Sequence, residues 1–281
     1  RRRGLGREMI SLTKDKRMLG YASLDVYSDI FHFVTTRIGG CSEGTYATFN
    51  CSPFAGDERV CVRRNQEILF EAMPEKPREL IIPHQTHGTK NLVVDEAFLA
   101  LSEEDRCMRL DGIDALITRE EGCCICVSTA DCVPILLYDR RHQVAAAVHA
   151  GWRGTVNFIV GHTLEQMRTV YGTEGSEVVA CIGPGISLES FEVGDEVYDT
   201  FRLNGFDMSR ISYRKAETGK YHIDLWEANR QQLLDFGVPG CQIEVSGICT
   251  YIHHDEFFSA RRLGITSGRI LSGIMKRVTE P

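Results

Sequence analysis

Three short segments of this 281-residue chain place reactive side chains beside glycines or at the ends of apolar runs. Residues 83–88 read Pro-His-Gln-Thr-His-Gly, residues 128–134 read Ser-Thr-Ala-Asp-Cys-Val-Pro, and residues 147–155 contain His-Ala-Gly-Trp-Arg-Gly. Imidazole, thiol, amide and guanidinium groups in such places can bind metals, anions or small molecules. These segments are therefore the candidate functional regions.

One residue from each segment completes a candidate zinc site, formed by His87, Cys132 and His149. Zinc is bound by neutral imidazole and thiolate, and a catalytic zinc ion takes three protein ligands and keeps a fourth position open. The three residues lie far apart in the sequence, so only the fold can bring them together. Spacing alone leaves open that the histidines are hydrogen-bonded structural residues and that Cys132 is a small buried apolar one.

Other cysteines offer weaker metal motifs. Cys123-Cys124-Ile125-Cys126 contains a Cys-x-x-Cys pattern within an apolar run. Positions three apart in a strand face opposite sides, which favours buried core cysteines over shared ligands. Cys249 lies near His253 and His254, where a second metal or thiol–imidazole site competes with plain surface histidines.

Arginines beside glycines are candidates for binding anions. Arg37 precedes Gly39-Gly40, Arg153 stands in Gly-Trp-Arg-Gly-Thr at the start of a predicted helix, and Arg261 follows Phe-Phe-Ser-Ala. A helix N-terminus with free amides and an arginine suits phosphate. The alternative is that each arginine forms an ion pair on the surface, which contributes little to stability.

The composition excludes several classes of protein. Hydrophobic residues make up 43% and charged residues 25%, as in ordinary globular domains. No P-loop, dinucleotide-binding or nucleophile-elbow motif occurs, and no apolar run approaches the ~18 residues that cross a membrane. A net charge of −7 argues against nucleic acid as a partner. The chain has eleven cysteines, an odd number, and it shows neither the cysteine spacing of a small disulfide-bonded domain nor the apolar core of a signal peptide. We therefore expect a reducing, cytoplasmic compartment.

Apolar and helical periodicities alternate along the chain. The predicted strands are 31–36, 80–83, 115–117, 123–128, 133–138, 144–149 and 177–182, and the predicted helices are 59–72, 155–171, 191–201 and 225–236. The links between the central strands are too short for parallel crossovers. We therefore expect an α+β fold, a single layered domain with mixed β-sheets covered by helices. It is predicted to span residues 21–281, after an N-terminal extension (1–20) that is disordered or foreign to the natural protein.

The order of the motifs resembles that of the laccase-domain family, the YfiH-like proteins that are also called the multicopper polyphenol oxidase or purine nucleoside phosphorylase family. The resemblance runs from Phe31 to the C-terminus. It is carried by Thr35–Gly40, Gln85–Gly88, Asp114–Leu116, Thr129–Pro134, His149–Gly154, Ile182–Gly185, Phe191–Val193, Asp224–Leu225, Cys249–Thr250, Phe257–Arg262 and Gly268–Arg269. One departure is Ala260, which stands where an aromatic residue is usual.

This resemblance implies the layered α+β fold and a zinc site made by His87, Cys132 and His149, which would be the catalytic residues. The family is associated with phosphorolysis of adenosine, inosine, guanosine and methylthioadenosine and with deamination of adenosine. Purine nucleosides and phosphate are then the expected partners, for a monomer or a homodimer. The older name implies copper as an alternative metal, with oxidation of phenols.

The first hypothesis is thus a zinc-dependent nucleoside enzyme. Arg37 and Arg153 would hold phosphate, with Arg261 as a third candidate. Gln85 or Asp131 would contact the base or a proton in transit.

Three alternatives remain open from the sequence. A cysteine hydrolase or amidase would use Cys132 as the nucleophile and His149 as its base. A copper oxidase would bind one ion with the same cysteine and two histidines, although nine histidines without His-x-His pairs suit no multicopper site. A structural zinc site needs a fourth ligand, for which His84 is the best candidate.

Overall fold

Two mixed β-sheets form the centre of the molecule in the computed structural model, which describes residues 8–280. Within these residues, fifteen strands follow in the order β1 Ile10–Ser11, β2 Met18–Gly20, β3 Ile30–Thr35, β4 Glu79–Ile81, β5 Asn91–Val93, β6 Ala115–Thr118, β7 Cys123–Thr129, β8 Val133–Asp139, β9 Val144–Ala150, β10 Val178–Ile182, β11 Glu192–Val193, β12 Ser212–Arg214, β13 Tyr221–Ile223, β14 Ile243–Val245 and β15 Ile270–Lys276.

The helices alternate with these strands. In the described chain they are α1 Ala22–Asp25, α2 Arg59–Ala72, α3 Glu96–Leu99, α4 Glu103–Leu110, α5 Trp152–Val156, α6 Ile159–Tyr171, α7 Asp195–Leu203, α8 Met208–Ile211, α9 Leu225–Phe236 and α10 Ala260–Leu263. None of these helices has the length and apolar character needed to span a membrane.

The first sheet has the order β1-β2-β3-β15-β7-β4 and the second has the order β14-β10-β8-β9-β6-β5, while β11, β13 and β12 form a small third sheet. The pairs β4/β7, β5/β6 and β10/β14 are parallel, and the other pairs are antiparallel. This mixture agrees with the α+β prediction. The strands β7 and β8 are consecutive in the chain but belong to different sheets, so residues 130–132 carry the chain from one sheet to the other.

Strand β7 shows how the layers form. Every residue of β7 is buried, and alternate side chains face opposite sides. Ile125 and Val127 pack against the second sheet, whereas Cys124 and Cys126 pack against α2. The outer face of the second sheet is covered by α5, α6 and α9. The result is four layers, helix on sheet on sheet on helices, and the central cysteines are core residues.

Two predicted helices differ from the structure. The segment predicted as one helix from 155 to 171 is two helices, α5 and α6, because Phe158 adopts a left-handed conformation with φ of 64° between them. The segment predicted as a helix from 191 begins instead as strand β11, and α7 starts only after the extended Gly194. Helices α2 and α9 have the predicted bounds, and Gly237 ends α9 with a φ of 106°.

The predicted boundary after residue 20 falls inside the first sheet. Strand β2 pairs with β3, and β1 pairs with β2, so residues 10–20 pack with the rest of the sheet. The first seven residues of the predicted extension lie outside the described part of the chain.

Candidate metal centre and active-site cavity

His149 stands near the end of strand β9, opposite Pro134 of β8, and only 3% of it is exposed. Its Nδ1 lies 2.7 Å from Oδ2 of Asp114, which immediately precedes β6. The backbone N–H of His149 also donates to the carbonyl of Asp114, at 2.8 Å. The ring is therefore fixed in orientation, and Nε2 is the nitrogen left to bind a ligand.

The Asp114 carboxylate also holds the loop that carries His87. It accepts hydrogen bonds from the backbone N–H groups of Thr86, His87 and Gly88, at 3.2, 3.0 and 3.0 Å. His87 has a φ of 61°, a strained value for a residue with a side chain. Burial would raise the pKa of Asp114, but its hydrogen bonds to His149 and to the loop outweigh that effect and lower it.

Cys132 lies on the crossing from β7 to β8, next to Asp131, which has a φ of 89°. It faces Gly151 at the start of α5. A Cβ at Gly151 would lie 3.0 Å from the Cys132 sulfur and 3.4 Å from the His87 ring. The close approach of the three segments therefore favours a glycine here, since a larger residue would push against both side chains.

These segments bring the three predicted ligands together. The donor atoms of His87, Cys132 and His149 lie within 4.8 Å of one another, and they form the one such group found among the described residues. Burial opposes ionisation of Cys132, but the two histidines outweigh it and lower its pKa to about 6. Burial likewise opposes protonation of His149, but Cys132 and Asp114 outweigh it and raise its pKa to about 9.

A cavity of about 800 Å³ opens beside the three donors. Aromatic side chains of Phe54, Trp152 and Phe191 line it, and so do the guanidinium-bearing residues Arg261 and Arg269. Volumes of ~300–1,000 Å³ are typical of small-molecule sites. One cleft thus contains aromatic side chains, two arginines and the thiol and imidazole donors.

The sequence pattern of the family described as "Multi-copper polyphenol oxidoreductase laccase" matches residues 31–277. This chain belongs to that family. It is 67% identical to a "Purine nucleoside phosphorylase" of Bacteroides thetaiotaomicron, over 95% of this chain and 99% of the relative. It is 41% identical to "Adenosine deaminase RL5" of an unknown prokaryotic organism, over 87% of this chain and 93% of the relative.

Solved structures of this laccase family have the same fold. The crystal structure of YlmD from Geobacillus stearothermophilus superposes with a TM-score of 0.83 at 32% identity, covering 99% of this chain and 98% of YlmD. The names of the two relatives are those of nucleoside-processing enzymes, and this chain is also an enzyme.

Gln85 and Asp131, the two residues predicted to contact the base or a proton in transit, are hydrogen-bonded to other residues of the protein. Gln85 lines the cavity, but its amide bonds both backbone groups of Ser128, each at 2.7 Å. Asp131 also lines the cavity, yet its carboxylate accepts from Thr250 Oγ1, from Ser259 Oγ and from the backbone N–H of Arg261, at 2.8, 3.0 and 2.8 Å. Asp131 thus anchors the start of α10, and its predicted role toward the substrate stays a prediction.

The predicted phosphate-binding arginines Arg37 and Arg153 are not among the described residues that line the cavity. The Arg37 guanidinium donates to the carbonyls of Ala47 and His254, at 2.8 and 2.7 Å. Arg153 is exposed, and its guanidinium carbon lies 4.6 Å from the Trp152 ring centre. Neither residue belongs to the described lining of the cavity, and a role for either in binding phosphate stays a prediction.

Arg261 is the predicted arginine that does line the cavity, and Arg269 is one that the sequence reasoning missed. Arg269 is held by the carbonyls of Ser267 and Ile265, at 2.6 and 2.8 Å. Burial lowers its pKa, and its charge is close enough to interact with Cys132 and Asp131. The signal for Arg269 was its place in the Gly268–Arg269 motif.

The other candidate metal ligands, Cys249 with its neighbouring histidines and His84, have different surroundings. Cys249 is buried and accepts from the backbone N–H of Ser187 at 3.4 Å, while His253 and His254 are exposed and form no metal-ligand group in the described chain. His84, considered as a fourth ligand, instead pairs through Nδ1 with Asp111. Ala260, the departure from the family pattern, lines the cavity.

Proposed function

We propose that this chain is a zinc-dependent purine nucleoside enzyme. It splits adenosine, inosine, guanosine or methylthioadenosine with phosphate into the free base and ribose or methylthioribose 1-phosphate, and it deaminates adenosine. The observation that carries the proposal is the meeting of the His87, Cys132 and His149 donors with two arginines in one cavity. The names of the nucleoside-processing relatives support the choice of substrate class.

The donor set fits zinc. One thiolate and two imidazoles are borderline-soft ligands, His149 is oriented by a carboxylate, and Gly151 leaves room beside the Cys132 sulfur. A bound zinc ion would supply Lewis-acid chemistry and lower the pKa of a water. Copper can occupy the same one-cysteine, two-histidine set, so the metal content is measured together with activity.

The side chains of the cavity divide the work of binding. Arg261 and Arg269 bring positive charge to the wall beside the donors, where they would hold phosphate against C1′ of the ribose. The rings of Phe54, Trp152 and Phe191 offer flat apolar faces to a purine. Binding the nucleoside and phosphate together in one cleft would lower the entropic cost of bringing them into contact.

A second candidate is a cysteine hydrolase or amidase. Cys132, His149 and Asp114 stand in the order nucleophile, base and orienting carboxylate, and the low pKa of Cys132 favours a thiolate. The metal-free protein would carry out this reaction, whereas the nucleoside reactions would need zinc. Comparing the activities with and without zinc therefore separates the two candidates.

We further place the enzyme in the cytoplasm as a monomer or homodimer. All eleven cysteines are free, as expected in a reducing compartment.

The test is to incubate zinc-loaded protein with adenosine, inosine or methylthioadenosine, with and without phosphate, and to separate the products by liquid chromatography. Free base and sugar phosphate formed only with phosphate support phosphorolysis, and inosine formed from adenosine without phosphate supports deamination. Cys132→Ser should lose zinc and both activities. If zinc-loaded wild-type protein turns over none of the three, the proposal fails and the cysteine hydrolase comes first.

A further inference from the structure

His84 lines the cavity with a half-exposed side chain and lies outside the metal-ligand group. Its Nδ1 lies 2.7 Å from Oδ1 of Asp111. The Phe54 ring packs on the imidazole with ring centres 4.9 Å apart, and Phe54 is itself 53% exposed. The contact with Asp111 assigns the proton of the neutral ring to Nδ1 and leaves Nε2 without a partner among the described residues.

The backbone fixes this pair in place. His84 donates its N–H to the carbonyl of Leu110 at 3.1 Å, and Gly112 donates to the carbonyl of His84 at 2.9 Å. The next residue, Gln85, is held on both sides by Ser128. The imidazole therefore sits on a rigid segment although half of it is exposed to solvent.

The other ionisable groups of the cavity are already engaged. His87, Cys132 and His149 form the metal-ligand group, and the Asp131 carboxylate accepts three hydrogen bonds. The arginines keep their protons. Among the described residues that line the cavity, His84 is thus the one histidine that lies outside the metal-ligand group.

We propose that His84 is a catalytic residue that binds N7 of the purine and protonates it as the base leaves, and that Asp111 and Phe54 position it. The inference rests on the proposed phosphorolysis and adds the residue that handles the leaving group. Phe54 offers a ring on which the purine stacks while His84 reaches its edge.

An oxygen of hydrogen phosphate forms a bond to C1′ of the ribose, and the C1′–N9 bond breaks with its electron pair going to the purine. The proton on Nε2 of the His84 imidazolium passes to N7, so the base leaves neutral. The proton that hydrogen phosphate gives up on becoming the ester restores the imidazolium through solvent.

The experiment compares inosine with 7-methylinosine, using zinc-loaded enzyme and inorganic phosphate. The methylated base already carries a positive charge, so it leaves neutral without a proton. His84→Gln should lower kcat for inosine by about 10²–10⁴-fold and leave kcat for 7-methylinosine nearly unchanged. Asp111→Asn should show the same preference to a smaller extent, which a merely structural role would not produce.

His142→Gln is the matched control, because His142 also pairs with an aspartate through Nδ1 but lies outside this cavity. It should leave both rates unchanged. Equal losses on the two substrates in His84→Gln, or no loss on inosine, would overturn the role of His84 while the phosphorylase activity of the wild type stands. Wild-type protein that cleaves neither substrate would overturn the proposed function and this inference together.

Discussion

Asp114 binds the ring of His149 and the backbone of His87 with the same carboxylate. Its Oδ2 lies 2.7 Å from His149 Nδ1 and 3.0 Å from the N–H of His87. Two of the three candidate metal ligands are thus placed by one buried side chain that is not in the candidate ligand group. The geometry of the centre depends on Asp114 as much as on the donors.

Asp114→Asn should weaken zinc binding by about 10–100-fold, as expected when a partner that orients a metal ligand is lost. The substitution replaces one carboxylate oxygen, which accepts hydrogen bonds, with an NH2 group, which donates them. This NH2 group would face the N–H of the His149 ring or the N–H groups of the loop, so donor would meet donor. Zinc affinity is measured by competition with a chelator, and nucleoside turnover should fall in parallel.

Asp139→Asn is the control for the loss of a buried aspartate. Asp139 is fully buried and bonds His142 Nδ1 at 2.8 Å, but it lies outside the cavity. It should lower the free energy of unfolding without changing zinc affinity. Equal zinc affinities of Asp114→Asn and wild type would contradict the role given to Asp114.

Removal of the metal should expose a reactive thiolate at Cys132. The histidines lower its pKa to about 6, so the rate of alkylation by iodoacetamide should rise with pH through a midpoint near 6 in metal-free protein. Saturating zinc should protect the thiol. Peptide mapping by mass spectrometry locates the label.

The exposed Cys41 serves as the internal reference, since its alkylation should not depend on zinc. Alkylation of Cys132 that is equally fast with and without zinc would show that this thiol is not a ligand. If metal-free protein hydrolysed an amide and alkylation of Cys132 abolished that activity, the cysteine hydrolase would be favoured.

The central strands were predictable from the sequence, and the three candidate ligands lie together as that prediction requires. Strands β6 to β9 are nearly continuous apolar runs, and their ends carry Cys132 and His149. That β7 and β8 belong to different sheets could not be read from the pattern, because pairing partners are set by tertiary packing. The crossing at Cys132 is the consequence of that packing.

The polar contacts were less predictable than the ligands. Asp131 looks like a free acid in the sequence, but its bonds to Thr250 and Ser259 join residues more than a hundred positions apart. Arg37 was chosen for its neighbouring glycines, yet remote carbonyls bind its guanidinium. Local motifs identify the type of a group, while long-range partners decide whether it is available.

Arg269→Gln should raise the KM for phosphate by about 10–100-fold, the loss expected for a hydrogen bond to a charged group. The KM for inosine should change much less, because the purine contacts remain. Initial rates at varied phosphate and at varied inosine separate the two effects, and a thermal melt checks the fold. Arg153→Gln is the matched control, since Arg153 lies outside the cavity, and both constants should stay at wild-type values. An increased phosphate KM in Arg153→Gln alone would support Arg153, the residue predicted from the sequence, as the phosphate ligand.

His32 should make the protein sensitive to mild acid. It is 2% exposed, its Nε2 accepts the backbone N–H of Tyr21 at 2.7 Å, and burial lowers its pKa from 6.5 to about 4. The unfolded chain therefore binds a proton between pH 6.5 and 4 that the folded chain does not. Stability that is complete above pH 6.5 is lost as the pH falls toward 4, by about 3 kcal/mol.

His32→Gln keeps an acceptor for Tyr21 but removes the titrating group. Its free energy of unfolding, measured with urea between pH 7 and pH 4, should fall less steeply than that of wild type, whatever its value at pH 7. The carboxylates titrate in both proteins and cancel in the comparison. Parallel curves would mean that His32 is protonated as readily in the folded state as in the unfolded one, and that the Tyr21 contact does not hold its ring neutral.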